Sequence, residues 1–510
     1  MLRDKNNQLS IYSILFNKVS ENHTLKLINK AIDLSFVTKL LETSYNKYYG
    51  RPAKDPELMI RLLILKYLYN LSDERVIEEA SVNLAYMWFL GINPDEDLPD
   101  SSLLAKFRIH RLKDVTLDEI IIEVVKQCVE KGIIKDTGIS IDATHTEAHT
   151  FKATPERVMK RLANKIFKAY EKESGELPSN IDQNIPKYKE IEDHKEAKKV
   201  MKDYLQTEID KIESIINSSE NPETYKILEN AKKILEDPKF IEQRGVRSLV
   251  DQDARVGHKS KTDCFFGYKT EYIITTEERI ITAVTVDSGA YVDGTNFDEL
   301  IEITKIAGLN IQEVYGDKAY FKKPILDKIK EIEAKAYIPV SESVYRIDEE
   351  KFSYNKDSDE WFCSEGNKTT SKKHTKRKSG KETYKYYFEK EKCRSCSRRS
   401  ECITGKIIGR ILEVGINAPE FYAYSLEQKS EEFKEKYKKR ACQEGKNGEM
   451  KNFHGLNCAQ GYSRRSMSIQ AKLTALSVNL KRIASILSSK RPIFLSIFRF
   501  NLKTYRRIII

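Results

Sequence analysis

The sequence has no hydrophobic run long enough to cross a membrane. Its apolar stretches fall well short of the roughly 18 uninterrupted residues that a transmembrane helix needs. Glycine and proline are also scarce, at 21 and 13 of 510 residues, which excludes a fibrous or largely disordered chain. The first residues lack the apolar segment and the small-residue cleavage site of a secretory signal. We therefore expect a cytoplasmic, globular protein of two to four domains.

Acidic residues are missing from the last sixty positions. Residues 451–510 contain 12 basic side chains and no carboxylate, and residues 365–410 contain 15 basic and 5 acidic side chains. The whole chain carries a net charge of only +11, so the rest of it is acidic on balance. Two basic blocks on an acidic chain favour a polyanionic partner, with DNA or RNA as first candidate. The alternative is a pair of solvated, lysine-rich faces.

Cysteine is rare, with eight residues, and a disulfide framework is not expected in a cytoplasmic chain. Four of the cysteines are grouped. Cys393 and Cys396 form a C-x-x-C pair, Cys402 follows, and Cys363 lies upstream. Four thiolates can bind one Zn²⁺ tetrahedrally, which would stabilise a small segment that has little core of its own. The grouping predicts a structural zinc site, with free thiols as the alternative.

Changes in periodicity divide the chain into segments. Apolar residues three and four positions apart predict an all-helical domain over 1–130. Strands alternate with helices over 131–340, which predicts an α/β core interrupted by a helical insertion at 151–250. The remaining segments are a basic, cysteine-containing β-type insertion (341–427), closing helices (428–490) and a basic C-terminal tail (491–510).

Two aspartates end predicted strands of the α/β core. Asp142 ends the strand in IIKDTGISIDATHT, and Asp317 follows the strand in IQEVYGD. Active sites gather at the carboxyl ends of strands in open α/β sheets, and paired carboxylates are suitable ligands for Mg²⁺. Strand-terminating or helix-capping aspartates are the alternative interpretation. Asp287, which ends a neighbouring strand, is the competing candidate.

A third acidic ligand is expected in the late helical region. At about 100° per residue, an α-helix would place Tyr437, Arg440, Glu444 and Lys451 within about 60° of one another. Glu444 could then bind metal while Arg440 and Lys451 neutralise phosphate oxygens. His454 is a further candidate for a phosphate contact. An ordinary solvated, salt-bridged stripe would show the same spacing.

The same four residues match the signature Y-x2-R-x3-E-x6-K without a gap. Together with IDATHTEAH around Asp142 and YGDKAY around Asp317, the chain resembles bacterial insertion-sequence transposases of the DDE type, which have an RNase H-like catalytic core. YYGRPAKDPELMIRLLILKYLYNLSDE and HGLNCAQGYSRRSMSIQAKLTALSVNLKRI resemble the N-terminal helical and closing segments of that group. The resemblance extends from about residue 45 to 485.

The resemblance implies a catalytic site and a reaction. The implied ligands of two Mg²⁺ or Mn²⁺ ions are Asp142, Asp317 and Glu444, and the implied DNA contacts are Tyr437, Arg440 and Lys451. The expected function is metal-dependent DNA cleavage and strand transfer at transposon ends. The expected partners are double-stranded end and target DNA, bound by a homodimer at the bacterial nucleoid. Two alternatives are a catalytically silent DNA-binding protein derived from a transposase and a metal-dependent nuclease without strand transfer.

Overall fold

The computed structural model describes most of the chain. The described residues are 12–46, 53–112, 114–135, 137–238, 240, 246–260, 262–377, 380, 382–403 and 408–489. Within them no helix combines the length and the apolar character that crossing a bilayer requires. The tail predicted at 491–510 lies outside the described residues.

The N-terminal segment is helical, as the apolar spacing predicts. Its α-helices are Ser13–Phe16, Thr24–Ala31, Phe36–Leu41, Pro56–Leu68, Asp73–Val82, Leu84–Leu90, Ser101–His110 and Asp114–Glu130, with a 3₁₀ turn at Glu42–Ser44. Polar residues cap these helices where the sequence places them. The Ser72 side chain accepts a hydrogen bond from the backbone N–H of Arg75, and Asp100 accepts one from Ser102.

A mixed sheet forms the centre of the molecule. Its strands are β1 (Gly138–Glu147), β2 (Arg255–His258), β3 (Cys264–Thr275), β4 (Ile281–Ser288), β5 (Glu313–Tyr315) and β6 (Lys335–Tyr337). Helices Phe297–Ile306 and Lys323–Glu331 connect the later strands, so the predicted alternation of strands and helices is confirmed. The short strand β2 was not predicted. β1 pairs antiparallel with β3 and parallel with β5, β3 also pairs antiparallel with β2 and β4, and β5 pairs parallel with β6.

Alternate residues of β1 face two different environments. Ile139 and Ile141 are fully buried in a cluster shared with the N-terminal helices. Asp142 is the register partner of Tyr272 on β3, and Tyr272 is buried among residues of the C-terminal helices. Because cross-strand partners share a face, Asp142 lies on the side that those helices cover.

The C-terminal helices complete the core. They are Ala418–Glu427, Glu431–Tyr437, Cys442–Phe453, here called the glutamate helix, and Arg464–Ser489, here called the closing helix, with a 3₁₀ turn at Lys438–Ala441. The Asn479 side chain on the closing helix bonds both the N–H and the C=O of Ile281 on β4, each at 2.7 Å. One hydrophobic cluster contains Leu63, Ile141 and Leu476, so the N-terminal helices share a core with the sheet.

Two insertions extend from this core. The helical one contains Pro155–Ser174, His194–Glu213 and Pro222–Glu236, which pack around their own buried cluster, with a 3₁₀ turn at Tyr188–Glu190. The cysteine-containing one has β7 (Phe352–Asn355), β8 (Glu360–Cys363), β9 (Thr369–Lys376), β10 (Glu382–Phe388), β11 (Ile411–Gly415) and the helical turns Lys390–Arg394 and Arg399–Cys402. β7 pairs with β8, and the other three form a sheet in the order β11-β10-β9.

Candidate active site

Asp142 lies within β1, and Asp317 follows β5, the parallel strand beside it. The expectation that Asp142 ends its strand was wrong, because pairing with β3 extends β1 to Glu147. Ser140 of β1 is the register partner of Tyr315, the last residue of β5, and each aspartate lies two residues further along the chain. Neighbouring strands are about 4.8 Å apart, so this register places Asp142 beside Asp317. The negative charge of Asp317 contributes to raising the pKa of Asp142, as expected for neighbouring carboxylates.

Asp142 is a largely buried carboxylate in a polar setting. Its side chain is 15% exposed. Burial, and then the charge of Asp317, raises its pKa to about 6, while Arg440 acts in the opposite direction. Asp317 is half-buried and caps the 3₁₀ turn Lys318–Tyr320, with its Oδ1 accepting a 2.8 Å hydrogen bond from Ala319 N–H. The site therefore concentrates negative charge that a cation would stabilise.

Glu444 lies at the rim of this site. Its side chain is 74% exposed, and Nη1 of Arg440 is 3.4 Å from its Oε1. Nη2 of the same guanidinium is 4.0 Å from Oδ2 of Asp142. In the described part of the chain, no group of three or more His, Cys, Asp or Glu side chains is already arranged around one ion position. Glu444 therefore has to rotate inward to share an ion with the aspartates.

The competing glutamate on the same helix is engaged elsewhere. Glu449 accepts hydrogen bonds from Lys446 at 2.9 Å and from Lys481 on the closing helix at 3.0 Å. It thus links two helices by ion pairs. Of the two acidic residues in the glutamate helix, Glu444 is the one near Asp142.

The uninterrupted helix assumed for the four-residue stripe was wrong. Tyr437 is the last residue of helix Glu431–Tyr437, and Arg440 lies in the 3₁₀ turn Lys438–Ala441. A 3₁₀ turn has 3.0 residues per turn, so the angular spacing calculated for an α-helix does not hold across it. Arg440 nevertheless lies between Glu444 and Asp142, with its guanidinium 3.4 Å from the first carboxylate and 4.0 Å from the second.

Tyr437 and Lys451 both lie close enough to Asp142 to interact with its charge. The Tyr437 ring stacks on Phe433 with centroids 5.9 Å apart. Lys451 Nζ is 3.2 Å from Nδ1 of His145 on β1. Burial, and then the neighbouring charge of Lys259, lowers the pKa of Lys451 to about 8. The Lys451 ammonium and the His145 ring therefore lie close together at this end of β1. A bound anion would offset the positive charge there.

Sequence reasoning missed Asn447, which contacts the first aspartate directly. Its Nδ2 donates a 3.0 Å hydrogen bond to Oδ2 of Asp142, and its Oδ1 accepts a 2.7 Å bond from the Tyr272 hydroxyl. Four residues earlier, Gln443 Nε2 donates a 2.6 Å bond to the carbonyl oxygen of Ser140. These contacts tie the glutamate helix to β1 and β3. The position of Asn447 about one helical turn after Glu444 was the sequence signal that could have identified it.

Replacing Asn447 by alanine is expected to weaken metal binding at the site. The change leaves Asp142 and the Tyr272 hydroxyl without this partner, at a cost of about 1–3 kcal/mol in the free energy of unfolding. Residues that orient metal ligands typically contribute roughly 10–100-fold to metal affinity or activity. A titration of DNA cleavage with Mg²⁺ should show a higher half-saturating concentration. Asn452→Ala, an exposed position on the same helix, is the control. An unchanged Mg²⁺ dependence would contradict the positioning role.

Other polar candidates have structural contacts. Asp287 accepts hydrogen bonds from Asn296 at 2.9 Å and from Arg464 at 3.1 Å. His454 is buried, with Nδ1 2.8 Å from the carbonyl oxygen of Tyr67 and Nε2 3.3 Å from Lys481 Nζ. The expectation that His454 touches phosphate is therefore wrong. It connects the glutamate helix to the N-terminal helices.

Two segments of the chain are similar to known protein families. Residues 13–110 match the family described as "Transposase domain (DUF772)", and residues 362–484 match the family "Transposase DDE domain". The second match includes Glu444 and the four grouped cysteines. Both segments are thus similar to transposase domains, and the second is similar to those of the DDE type.

The other comparisons are weaker. One solved structure, a cryo-EM structure of a piggyBac transposase synaptic complex with hairpin DNA, shares 10% identity at a TM-score of 0.32. That alignment covers 92% of this chain and 75% of the other, and at this score it supports no statement about substrate or chemistry. No curated protein is significantly similar in sequence.

Proposed function

We propose that the protein cleaves DNA at transposon ends and joins the freed 3′-OH to target DNA in a reaction that depends on divalent metal ions. The observation that carries this proposal is the pair formed by Asp142 in β1 and Asp317 just after the adjacent parallel strand β5, beside the helix of Glu444. These three carboxylates are the proposed ligands of two Mg²⁺ or Mn²⁺ ions. When bound, such ions activate the attacking oxygen and stabilise the leaving one.

The topology supports an RNase H-like assignment for the core. Three antiparallel strands, β4, β3 and β1, continue into the parallel strands β5 and β6. β1 is central, carries the first aspartate and is covered on that face by the glutamate helix. We therefore propose that this sheet is the RNase H-like core that the resemblance implies.

The residues around the carboxylates suit a phosphate ligand. The Arg440 guanidinium lies between Asp142 and Glu444, where it can donate hydrogen bonds to non-bridging phosphate oxygens once the carboxylates bind metal. Lys451 adds a second cation next to His145. Tyr437 supplies a half-buried aromatic ring and a hydroxyl close to the same carboxylates. These three residues are the proposed contacts to DNA near the cleaved bond.

The two basic blocks contribute differently to the proposed DNA surface. In the first block, Lys376 and Arg377 form ion pairs with Glu382 and Glu413 while remaining more than half exposed. Exposed pairs of this kind contribute little to stability, so phosphates can replace the carboxylates. In the second block, Lys472 is buried and pairs with Asp118 at 2.7 Å, so it serves the fold instead. We propose the surface around Lys376 and Arg377 as the stronger DNA contact.

Two further parts of the hypothesis remain predictions. One is that the protein acts as a homodimer on DNA, and the other is that the N-terminal helices read the end sequence or pair the protomers. We also propose that the protein is located in the cytoplasm.

Removing the divalent metal is expected to abolish cleavage and joining while DNA binding persists. The test uses purified protein, duplexes carrying the native DNA that flanks the gene, and a target plasmid, with Mg²⁺ or without added divalent metal. Nicked and joined products should form with Mg²⁺ only, and the gel shift should appear in both. Nicking without joined products would favour a nuclease. Binding without nicking in Mg²⁺ or Mn²⁺ would favour a silent DNA-binding protein.

A further inference from the structure

The four grouped cysteines come together in space although they belong to different elements. Cys363 ends β8, Cys393 lies in the turn Lys390–Arg394, Cys396 follows that turn, and Cys402 ends the turn Arg399–Cys402. All four line a single cavity of about 400 Å³. We call them the cysteine cluster. The remaining cysteines, Cys128, Cys264, Cys442 and Cys458, do not line this cavity.

A buried asparagine connects two members of the cluster. Asn367 Nδ2 donates a 3.2 Å hydrogen bond to the sulfur of Cys393, and the backbone carbonyl of Asn367 accepts a 2.8 Å bond from Cys363 N–H. Asn367 is 5% exposed. The Asn367 side chain therefore places a buried amide donor against a cysteine sulfur. Such donors are typical around thiolate metal ligands.

Charged neighbours also act on this cavity. The Arg410 guanidinium lies beside Cys402, and both residues line the cavity. Four thiolates this close repel one another, and a dication removes that repulsion. Arg410 also donates a 2.8 Å hydrogen bond to the carbonyl oxygen of Cys402, which holds that end of the turn in place.

The two short helical turns of the cysteine cluster need stabilisation from outside themselves. The two turns that carry Cys393 and Cys402 have five and four residues, too few to be stable alone. No disulfide joins the members of the cysteine cluster in this structure. A metal bound by the cluster would join both turns to the β8 strand.

We propose that the cysteine cluster binds one structural Zn²⁺. Zinc prefers four tetrahedral thiolates, and the cluster offers four from three short elements and a loop. Among the described residues no three of these side chains already surround one ion position, so binding has to draw the turns inward around the cavity. The proposal concerns the insertion and does not depend on the catalytic mechanism.

The test measures metal on the full-length protein purified without chelator from zinc-supplemented cells. Elemental analysis and native mass spectrometry should find one zinc per chain. The double variant Cys393→Ser/Cys396→Ser should lose it, and the matched control Cys264→Ser, an exposed cysteine outside the cluster, should keep it. Wild-type protein with no zinc, or with disulfides joining the cluster, would overturn the proposal.

Cobalt substitution keeps the test decisive if the double variant does not fold. Wild-type protein refilled with Co²⁺ should show sulfur-to-cobalt charge-transfer bands and the intense visible absorption of tetrahedral cobalt. Weak octahedral bands without charge transfer would contradict the thiolate site. Neither measurement uses DNA, so a failure here is separate from a failure of the proposed transposition chemistry.

Discussion

Asp142→Asn is expected to abolish DNA cleavage while leaving the fold and DNA binding intact. Asparagine keeps the shape of the side chain and can still accept the hydrogen bond from Asn447. It removes the negative charge that the proposed metal ions require. Metal ions contribute several kcal/mol of transition-state stabilisation, so cleavage should fall by roughly 10³-fold or more. Single-turnover cleavage of labelled end duplexes measures this directly.

The variant should be no less stable than the wild type in the absence of metal. Burial and Asp317 both raise the pKa of Asp142, which means that its charged form is unfavourable in the folded protein. The neutral amide avoids this cost, so thermal unfolding should be unchanged or shifted upward. Asp287→Asn is the matched control, because Asp287 ends a neighbouring strand but pairs with Arg464. Cleavage near the wild-type rate in Asp142→Asn would contradict the proposed site.

Glu444→Gln is expected to cause a comparable loss of cleavage despite the exposure of this residue. Glutamine has nearly the same size, but a neutral amide is a poorer ligand for a hard cation than a carboxylate is. Because the exposed pair with Arg440 contributes at most a few tenths of a kcal/mol, thermal stability should barely change. A large loss of cleavage without a loss of stability would indicate that Glu444 acts in the reaction.

Glu435→Gln provides a closely matched control. Glu435 precedes Glu444 by nine residues, has the same 74% exposure and also pairs with a basic residue, Lys438. It should cleave at the wild-type rate. If Glu444→Gln cleaves as well as Glu435→Gln does, the third ligand has to be sought elsewhere, first at Glu449.

Much of the core could be predicted because it depends on local patterns. β-branched residues bounded by a glycine predicted β1. The alternation of strand-like and helix-like sequence patterns predicted the later strands and helices. Asp317 was recognisable as an aspartate that follows a strand of the α/β core. The prediction that Asp142 ends its strand was wrong, because antiparallel pairing with β3 continues to Glu147. The helix caps at Ser72 and Asp100 also depend only on residues two or three positions away.

The predictions that were wrong share a physical cause. A local sequence pattern does not show which residues are buried. Lys472 counted toward the second basic block and His454 was a candidate for a phosphate contact, yet both are buried and bonded within the fold. The 3₁₀ turn at Lys438–Ala441 interrupts a stretch whose charge spacing alone looked helical. Asn447 was not identified because its partners, Asp142 and Tyr272, lie about 305 and 175 positions away.

The sequence by itself determined the class of elements, their order and the residue types that suit metal and phosphate, because propensity, capping and hydrophobic periodicity are properties of neighbouring residues. Only the tertiary structure decided which of these residues meet. The parallel register of β1 and β5 places Asp142 beside Asp317, and the glutamate helix brings Arg440 and Asn447 to them. The folding of the insertion gathers four cysteines around one cavity. Such contacts follow from packing between distant segments, which no local pattern encodes.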